Sequence, residues 1–369
     1  MDFALDGRGI NLYKGTGIGT YTENLLKHML RICGNNKFHI FWCGDNFSQY
    51  ETENSKIILT SKKHHSFFEE QYFPIYLENN KVNLLHVPQN GIGMNKYQIC
   101  KKVVTVHDLI PYSMPETVGK GYLNKFLKDM PDIIHSADAI ITVSNASKSD
   151  ILRFFPGNNK KIHVIPLAAD PRYIPLDKGY CKNILMKEFN LHKPFILYIG
   201  GFSPRKNVKA ILYAYKKSIS KLNGLYDLVL AGAEKEEVPQ IKNLAEELGI
   251  SSGVKFTGFV KEELMPVLYN GCELFIYPSL YEGFGLPPLE AMACSTPVIC
   301  SNLSSIPEIC ENGAMLINPR DIDEISSSII KILNSSDVKS NLKIRAENKS
   351  KNFNWLNTAK KTLELYSSI

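Results

Sequence analysis

No stretch of this sequence stays apolar for anything near 18 residues, so nothing in it reads as a membrane span. Nor does its beginning read as a signal peptide, because MDFALDGRG sets Asp2 and Asp6 where an apolar core is needed. No C-x-x-C pair occurs among the eight cysteines, Cys33, Cys43, Cys100, Cys181, Cys272, Cys294, Cys300 and Cys310. They lie scattered, several inside apolar runs, which argues against a zinc site or a disulfide framework and for a reducing compartment. A strong charge of one sign is lacking too: 43 Lys and Arg against 37 Asp and Glu leave only +6. Such an excess permits an anionic surface or a phosphorylated substrate and does not require nucleic acid. A cytoplasmic protein is expected.

What is present is a rhythm. The chain has 369 residues, too many for one ordinary core, with 44% hydrophobic and 22% charged residues. Short apolar runs alternate with segments of helical period. In the first half these are Phe3–Leu5, Phe38–Trp42, Ile57–Leu59, Leu84–Val87, Val103–Val106, Ile140–Val143 and Ile162–Ile165. In the second they are Phe195–Ile199, Leu228–Ala231, Val254–Phe256, Leu274–Tyr277, Val298–Cys300 and Met315–Ile317. Strands alternating with helices predict parallel sheets covered on both faces. The proline-rich stretch around Pro171–Gly179 reads as a linker. The expected architecture is two α/β domains facing a central cleft, residues 1–175 and 176–352. A terminal helix over 353–369, with Trp355, Leu356, Ala359, Leu363 and Tyr366 on one stripe, is expected to pack back on the first domain.

Ligands on such sheets bind beyond the carboxyl ends of the strands, and four motifs fall there. Gly15-Thr16-Gly17-Ile18-Gly19-Thr20 follows the first strand; it admits either a close ligand or a turn needed only for its geometry. A dinucleotide fingerprint would need glycine at position 20 and an acid after the second strand, so a dehydrogenase is disfavoured. His107-Asp108 stands just past the fifth strand, where a histidine is packed as readily as catalytic. Gly200-Gly201-Phe202-Ser203-Pro204-Arg205-Lys206-Asn207 joins a glycine turn to two cations able to grip phosphate. EGFGLPPLE, Glu282 to Glu290, sets two carboxylates either side of a glycine loop, with a helix expected from Leu289 to about Cys294. Phosphate donors and polyol acceptors together suggest a nucleotide sugar. Two segments carry ambiguous patterns. Lys120–Met130 is an amphipathic helix that suits its own core or an anionic membrane surface. Asp321-Ile322-Asp323 looks like a metal-binding D-x-D but reads better as a helix start, so no metal site is expected.

Across nearly its whole length the chain resembles the family 4 glycosyltransferases of the GT-B fold, which are retaining and metal-independent. The E-x7-E segment and PRKN at Pro204–Asn207 carry the resemblance. ALDGR, GIGTYTENL at Gly17–Leu25 and VHDLIPYSMPE at Val106–Glu116 resemble the bacterial branch that uses GDP-mannose. The resemblance implies a hexosyltransferase that moves mannose to a saccharide or lipid-linked saccharide, with the nucleotide sugar as substrate, no cofactor, and peripheral contact with the inner membrane face. It assigns His107, Arg205, Lys206 and Glu282 to catalysis. Gly17, Gly201, Phe284, Gly285, Leu286 and Glu290 would hold the donor, Glu290 at the ribose hydroxyls. Many members have arginine where this chain has Gly201, and Arg205 is expected to supply that charge. Ser295 replaces a glycine usual in the segment MACGTP. UDP- or dTDP-sugar transfer, a sugar-nucleotide epimerase and a non-catalytic binder stay open, since fold alone does not choose among them.

Overall fold

A computed structural model describes residues 1–94, 99–234 and 236–369. Its backbone divides into two compact units, one of Met1–Leu167 with Asn354–Ile369, the other of Ala168–Phe353.

The first unit holds seven parallel strands: β1 (Asp2–Asp6), β2 (Lys37–Trp42), β3 (Ser55–Leu59), β4 (Leu84–Val87), β5 (Lys101–Val106), β6 (Ala139–Thr142) and β7 (Ile162–Val164). Their order is β3-β2-β1-β4-β5-β6-β7. The second holds six: β8 (Phe195–Ile199), β9 (Asp227–Ala231), β10 (Val254–Gly258), β11 (Leu274–Tyr277), β12 (Val298–Ser301) and β13 (Met315–Ile317), ordered β10-β9-β8-β11-β12-β13. Each is a Rossmann-like sheet. Strands buried on both faces explain why β4, β6, β8, β9 and β11 are buried at every position and read as apolar runs. Each sheet reverses direction once, between β1 and β4 and between β8 and β11, and the crevice outside the carboxyl ends of such a pair is where these folds bind ligands.

The boundary falls at Leu167/Ala168, ahead of the expected 175/176. Residues 168–177 belong with the second unit because Asn270 fastens them: it accepts the Leu176 N–H at 2.8 Å and donates to the Ile174 carbonyl at 3.0 Å. Phe353 also belongs there, its ring edge-on to Phe284 at 5.9 Å. The helix Trp355–Ser368 lies in the first unit. Thr358 donates to the Pro166 carbonyl at 2.8 Å, and the Tyr366 hydroxyl meets His86 Nδ1 at 2.6 Å. Its buried stripe includes Thr358, Thr362 and Leu365, whereas Leu356 points outward, 46% exposed.

The helix expected from Leu289 begins at Leu286 and runs to Ala293, so Pro287 and Pro288 occupy its first turn. Ser295 follows it at φ 54°, the left-handed position that ends a helix. Asp321 caps the helix Ile322–Asn334, its carboxylate accepting from Asp323 and Glu324 N–H, so the D-x-D pattern is a helix start. The helix Lys120–Ser136 sends Phe126, Met130, Ile133 and Ile134 into the core with Val104, Val106 and Ile140. Its outer side carries Lys120, Lys125 and Lys128 with Leu127 beside them, while Tyr122, partly exposed, turns inward onto Phe126 at 5.6 Å. Among the described residues no helix is long and apolar enough to cross a membrane.

Candidate active site

In the second unit, the turn after β8 and the loop after β11 are bolted together at the strand reversal. The Leu280 N–H donates to the Arg205 carbonyl at 2.8 Å, and Asn207 Nδ2 donates to the Pro278 carbonyl at 3.2 Å. Side chains complete the join. Lys206 Nζ lies 2.7 Å and Arg205 Nη1 3.0 Å from Glu282 Oε1. The same oxygen accepts from Ser279 Oγ at 2.6 Å and from the Tyr277 hydroxyl at 3.0 Å. Burial alone would raise the Glu282 carboxyl, yet Lys206 and Arg205 hold it down to about 2. The result is a fixed carboxylate between two cations, with one positive charge in excess. Lys206 and Glu282, 76 positions apart in sequence, therefore share one site.

The glycine loop is shaped by residues the motif does not reveal. Ser304 and Ser305 donate to the Glu282 carbonyl at 2.6 and 2.9 Å, and Ser305 also reaches the Phe284 carbonyl at 2.8 Å. Phe284 is buried, so it can serve a ligand only through its backbone. Gly285 caps the helix at φ 109°, where a Cβ would sit 2.6 Å from Ile306 Cδ1. Pro287 and Pro288 carry no N–H, and Leu289 N–H bonds back to the Gly285 carbonyl. The helix end can therefore offer an anion the Leu286 N–H and little more.

Gly201 is exposed, and an added Cβ would meet nothing within 4 Å. Packing does not demand glycine here. Gly201→Arg should keep wild-type stability within about 0.5 kcal/mol. A larger loss in urea unfolding would show that the turn needs glycine.

Glu290 is 8% exposed and accepts from the Tyr269 hydroxyl at 2.8 Å. Burial pushes its carboxyl up to about 7.

In the first unit, three strand ends supply polar groups. After β1, Arg8 grips Asp6 with Nε and Nη2 at 2.8 and 2.7 Å and meets Glu69 at 3.0 Å, although Arg8 is only 2% exposed. After β4, Gln89 donates to Asp6 at 2.6 Å, and Asn90 takes the left-handed conformation at φ 54°. After β5, the His107 N–H donates to Asn90 Oδ1 at 2.8 Å, and ring Nε2 lies 2.9 Å from the Pro88 carbonyl. A carbonyl only accepts, so Nε2 carries the proton and Nδ1 keeps its lone pair. Burial drives His107 down to about 4, and the neutral ring packs edge-on against Tyr21 at 4.8 Å. Labelled-imidazole NMR should show His107 as the neutral Nε2–H tautomer from pH 8 to 5; an imidazolium signal at pH 6 would contradict this assignment. Gly17 opens the helix Gly17–Arg31 and is exposed, free for a ligand to approach. Gly19 is glycine for packing, because a Cβ would lie 2.3 Å from the Tyr13 carbonyl oxygen.

Sequence reasoning missed Asp6, Gln89, Asn90, Tyr269, Tyr277, Ser279, Ser304 and Ser305. The position of several just beyond a strand end was the available signal.

Comparisons with known proteins give the lineage and the fold. Residues 15–173 match the description "Glycosyltransferase Family 4", and residues 183–350 match "Glycosyl transferases group 1". The O-antigen chain mannosyltransferase B of Escherichia coli is 30% identical over 97% of this chain and 97% of its own. Among solved structures, the sucrose-phosphate synthase of Thermosynechococcus elongatus superposes with TM-score 0.77 at 20% identity, over 100% of this chain and 98% of its own. Anabaena HepE in complex with UDP-glucose gives TM-score 0.77 at 17% identity, over 100% and 99%. These two structures speak to the fold, GT-B, and the mannosyltransferase to the lineage. The chain belongs to the family of glycosyltransferases whose first half matches family 4 and whose second half matches group 1.

Proposed function

We propose that this glycosyltransferase is a retaining hexosyltransferase moving mannose from GDP-mannose to a hydroxyl of a saccharide or lipid-linked saccharide in surface polysaccharide synthesis. The observation that carries the reading is the pair of cations, Arg205 and Lys206, fixed on Glu282 at the β8/β11 reversal. Breaking a sugar–phosphate bond builds negative charge on the departing diphosphate, and preorganised cations aimed there lower the barrier most. Arg205 and Lys206 take that charge, Arg205 filling the role for which Gly201 has no side chain. Glu282 cannot act as an acid with its carboxyl held near 2; it accepts hydroxyls of the transferred sugar. Glu290 takes the ribose hydroxyls, Leu286 and Gly285 offer backbone N–H groups, and Gly17 approaches the donor by its backbone. His107 Nδ1 accepts a sugar hydroxyl. The leaving phosphate draws the proton from the incoming acceptor on the same face, which retains configuration without a protein nucleophile. No cofactor is needed in this scheme. Mannose is favoured by the activity named for the Escherichia coli relative.

A UDP-sugar is the second reading, favoured by the fold shared with a protein solved with UDP-glucose. Thermal-shift titration with GDP-, UDP- and dTDP-sugars separates the two, GDP-mannose being expected to stabilise most. Transfer to a mannose-terminated acceptor, followed by NMR of the new anomeric centre, tests retention; an inverted product would overturn the mechanism. Turnover to a free sugar-nucleotide isomer without acceptor would mark an epimerase, and binding with no release of nucleotide a non-catalytic binder. The lipid-linked acceptor implies peripheral membrane contact. Leu127 with Lys120, Lys125 and Lys128 is the face for it, and co-flotation with anionic vesicles is the check.

A further inference from the structure

Between Ala168 and Asp177 the chain runs outside helix and strand, yet it is fastened on both sides of Tyr173. Upstream, Arg172 pairs with Asp170 at 2.9 Å and Glu262 at 3.1 Å. Downstream, Asn270 holds the backbone of Ile174 and Leu176. Between those fastenings the Tyr173 ring stands edge-on to Tyr269, centroids 5.6 Å apart at 79°. Tyr269 in turn donates to Glu290 Oε2 at 2.8 Å, and Tyr173, packed on Tyr269, stands near enough to the same carboxylate to favour its charged form. A carboxylate has about four acceptor directions, so two phenols leave room for two further hydroxyls.

We propose that Tyr173, carried by the connecting segment, is a positioning residue of the nucleotide site: with Tyr269 it orients Glu290 to accept the ribose hydroxyls. The inference rests on the reading that Glu290 meets the ribose. Its physical need is plain. A carboxylate buried this deeply tends to take up a proton, and a protonated carboxyl accepts ribose hydroxyls poorly. Burial is the largest upward influence on Glu290 and Asp170 adds to it; Tyr269, Tyr173 and Arg172 oppose them. Cys294 also faces this group and stays neutral, its thiol raised by burial and by Glu290 itself. Losing the Tyr173 hydroxyl therefore raises the Glu290 carboxyl further. Donor affinity, which falls as pH drops through the Glu290 transition, should then begin to fall at higher pH.

The test is calorimetric titration of the full chain with GDP and with UDP from pH 6 to 9, beside donor KM and kcat. Tyr173→Phe should weaken the preferred nucleotide about fivefold at pH 7 and less at pH 9, with the loss in donor KM rather than kcat. Tyr269→Phe should act in the same direction and serves if Tyr173→Phe does not fold. Glu290→Gln is the reference. If it binds nucleotide as tightly as wild type, the ribose reading of Glu290 fails. If it binds weakly while Tyr173→Phe keeps wild-type affinity and pH profile, Glu290 stands and the role of Tyr173 is overturned.

Discussion

Lys206→Ala should lower kcat about a hundredfold, about 2.7 kcal/mol of lost transition-state stabilisation, while donor KM changes less. Lys206 is 13% exposed, and with Arg205 it outweighs the one negative charge of Glu282. Without it, Arg205 and Glu282 cancel, and nothing in that cluster is left in excess to meet the charge on the leaving diphosphate. The Glu282 carboxyl, released from the strongest of its cationic partners, should also titrate higher. Lys206→Arg keeps the charge but not the compact reach to Tyr277 and Glu282, and should recover only part of the rate. Wild-type kcat from Lys206→Ala would remove this residue from the mechanism.

Gly285→Ala should destabilise the second unit by about 3 kcal/mol, for two separable reasons. Backbone held at φ 109° is strained for any residue with a Cβ, and the new methyl would stand 2.6 Å from Ile306 Cδ1. Adding Ile306→Val removes the colliding atom but not the strain, so the double variant should recover only part of the loss. Both tryptophans, Trp42 and Trp355, lie in the first unit. Far-UV circular dichroism should therefore report the early transition of the variant while tryptophan fluorescence follows the unaltered unit. An unshifted dichroism transition would mean the loop relaxes around the methyl at no cost.

The two sheets were legible because strands buried on both faces must be continuously apolar, and every expected run became a strand. The ends of β1, β5, β8 and β11 were legible too, since glycine, histidine and paired cations stand out against those runs. The supporting polar groups were not. Gln89 and Asp6 meet across 83 positions, and Ser304 closes on Glu282 across 22, so neither partner has any local period or spacing to announce the other. Tyr173 was hidden for a different reason: prolines around it mark irregular backbone truthfully but say nothing of where that backbone is anchored. The early domain boundary has the same origin, in Asn270, a lone polar residue within an otherwise apolar helix.

The first unit is assembled from two stretches with the whole second unit between them. The helix Trp355–Ser368 covers Tyr21, Phe3 and His86, and Tyr366 lies edge-on to Phe3 at 5.0 Å. A ribosome that has delivered only residues 1–167 holds a sheet whose flank is bare at those aromatics. Maturation of the first unit thus waits on residues 354–369, and chaperone occupancy during synthesis should persist until they emerge.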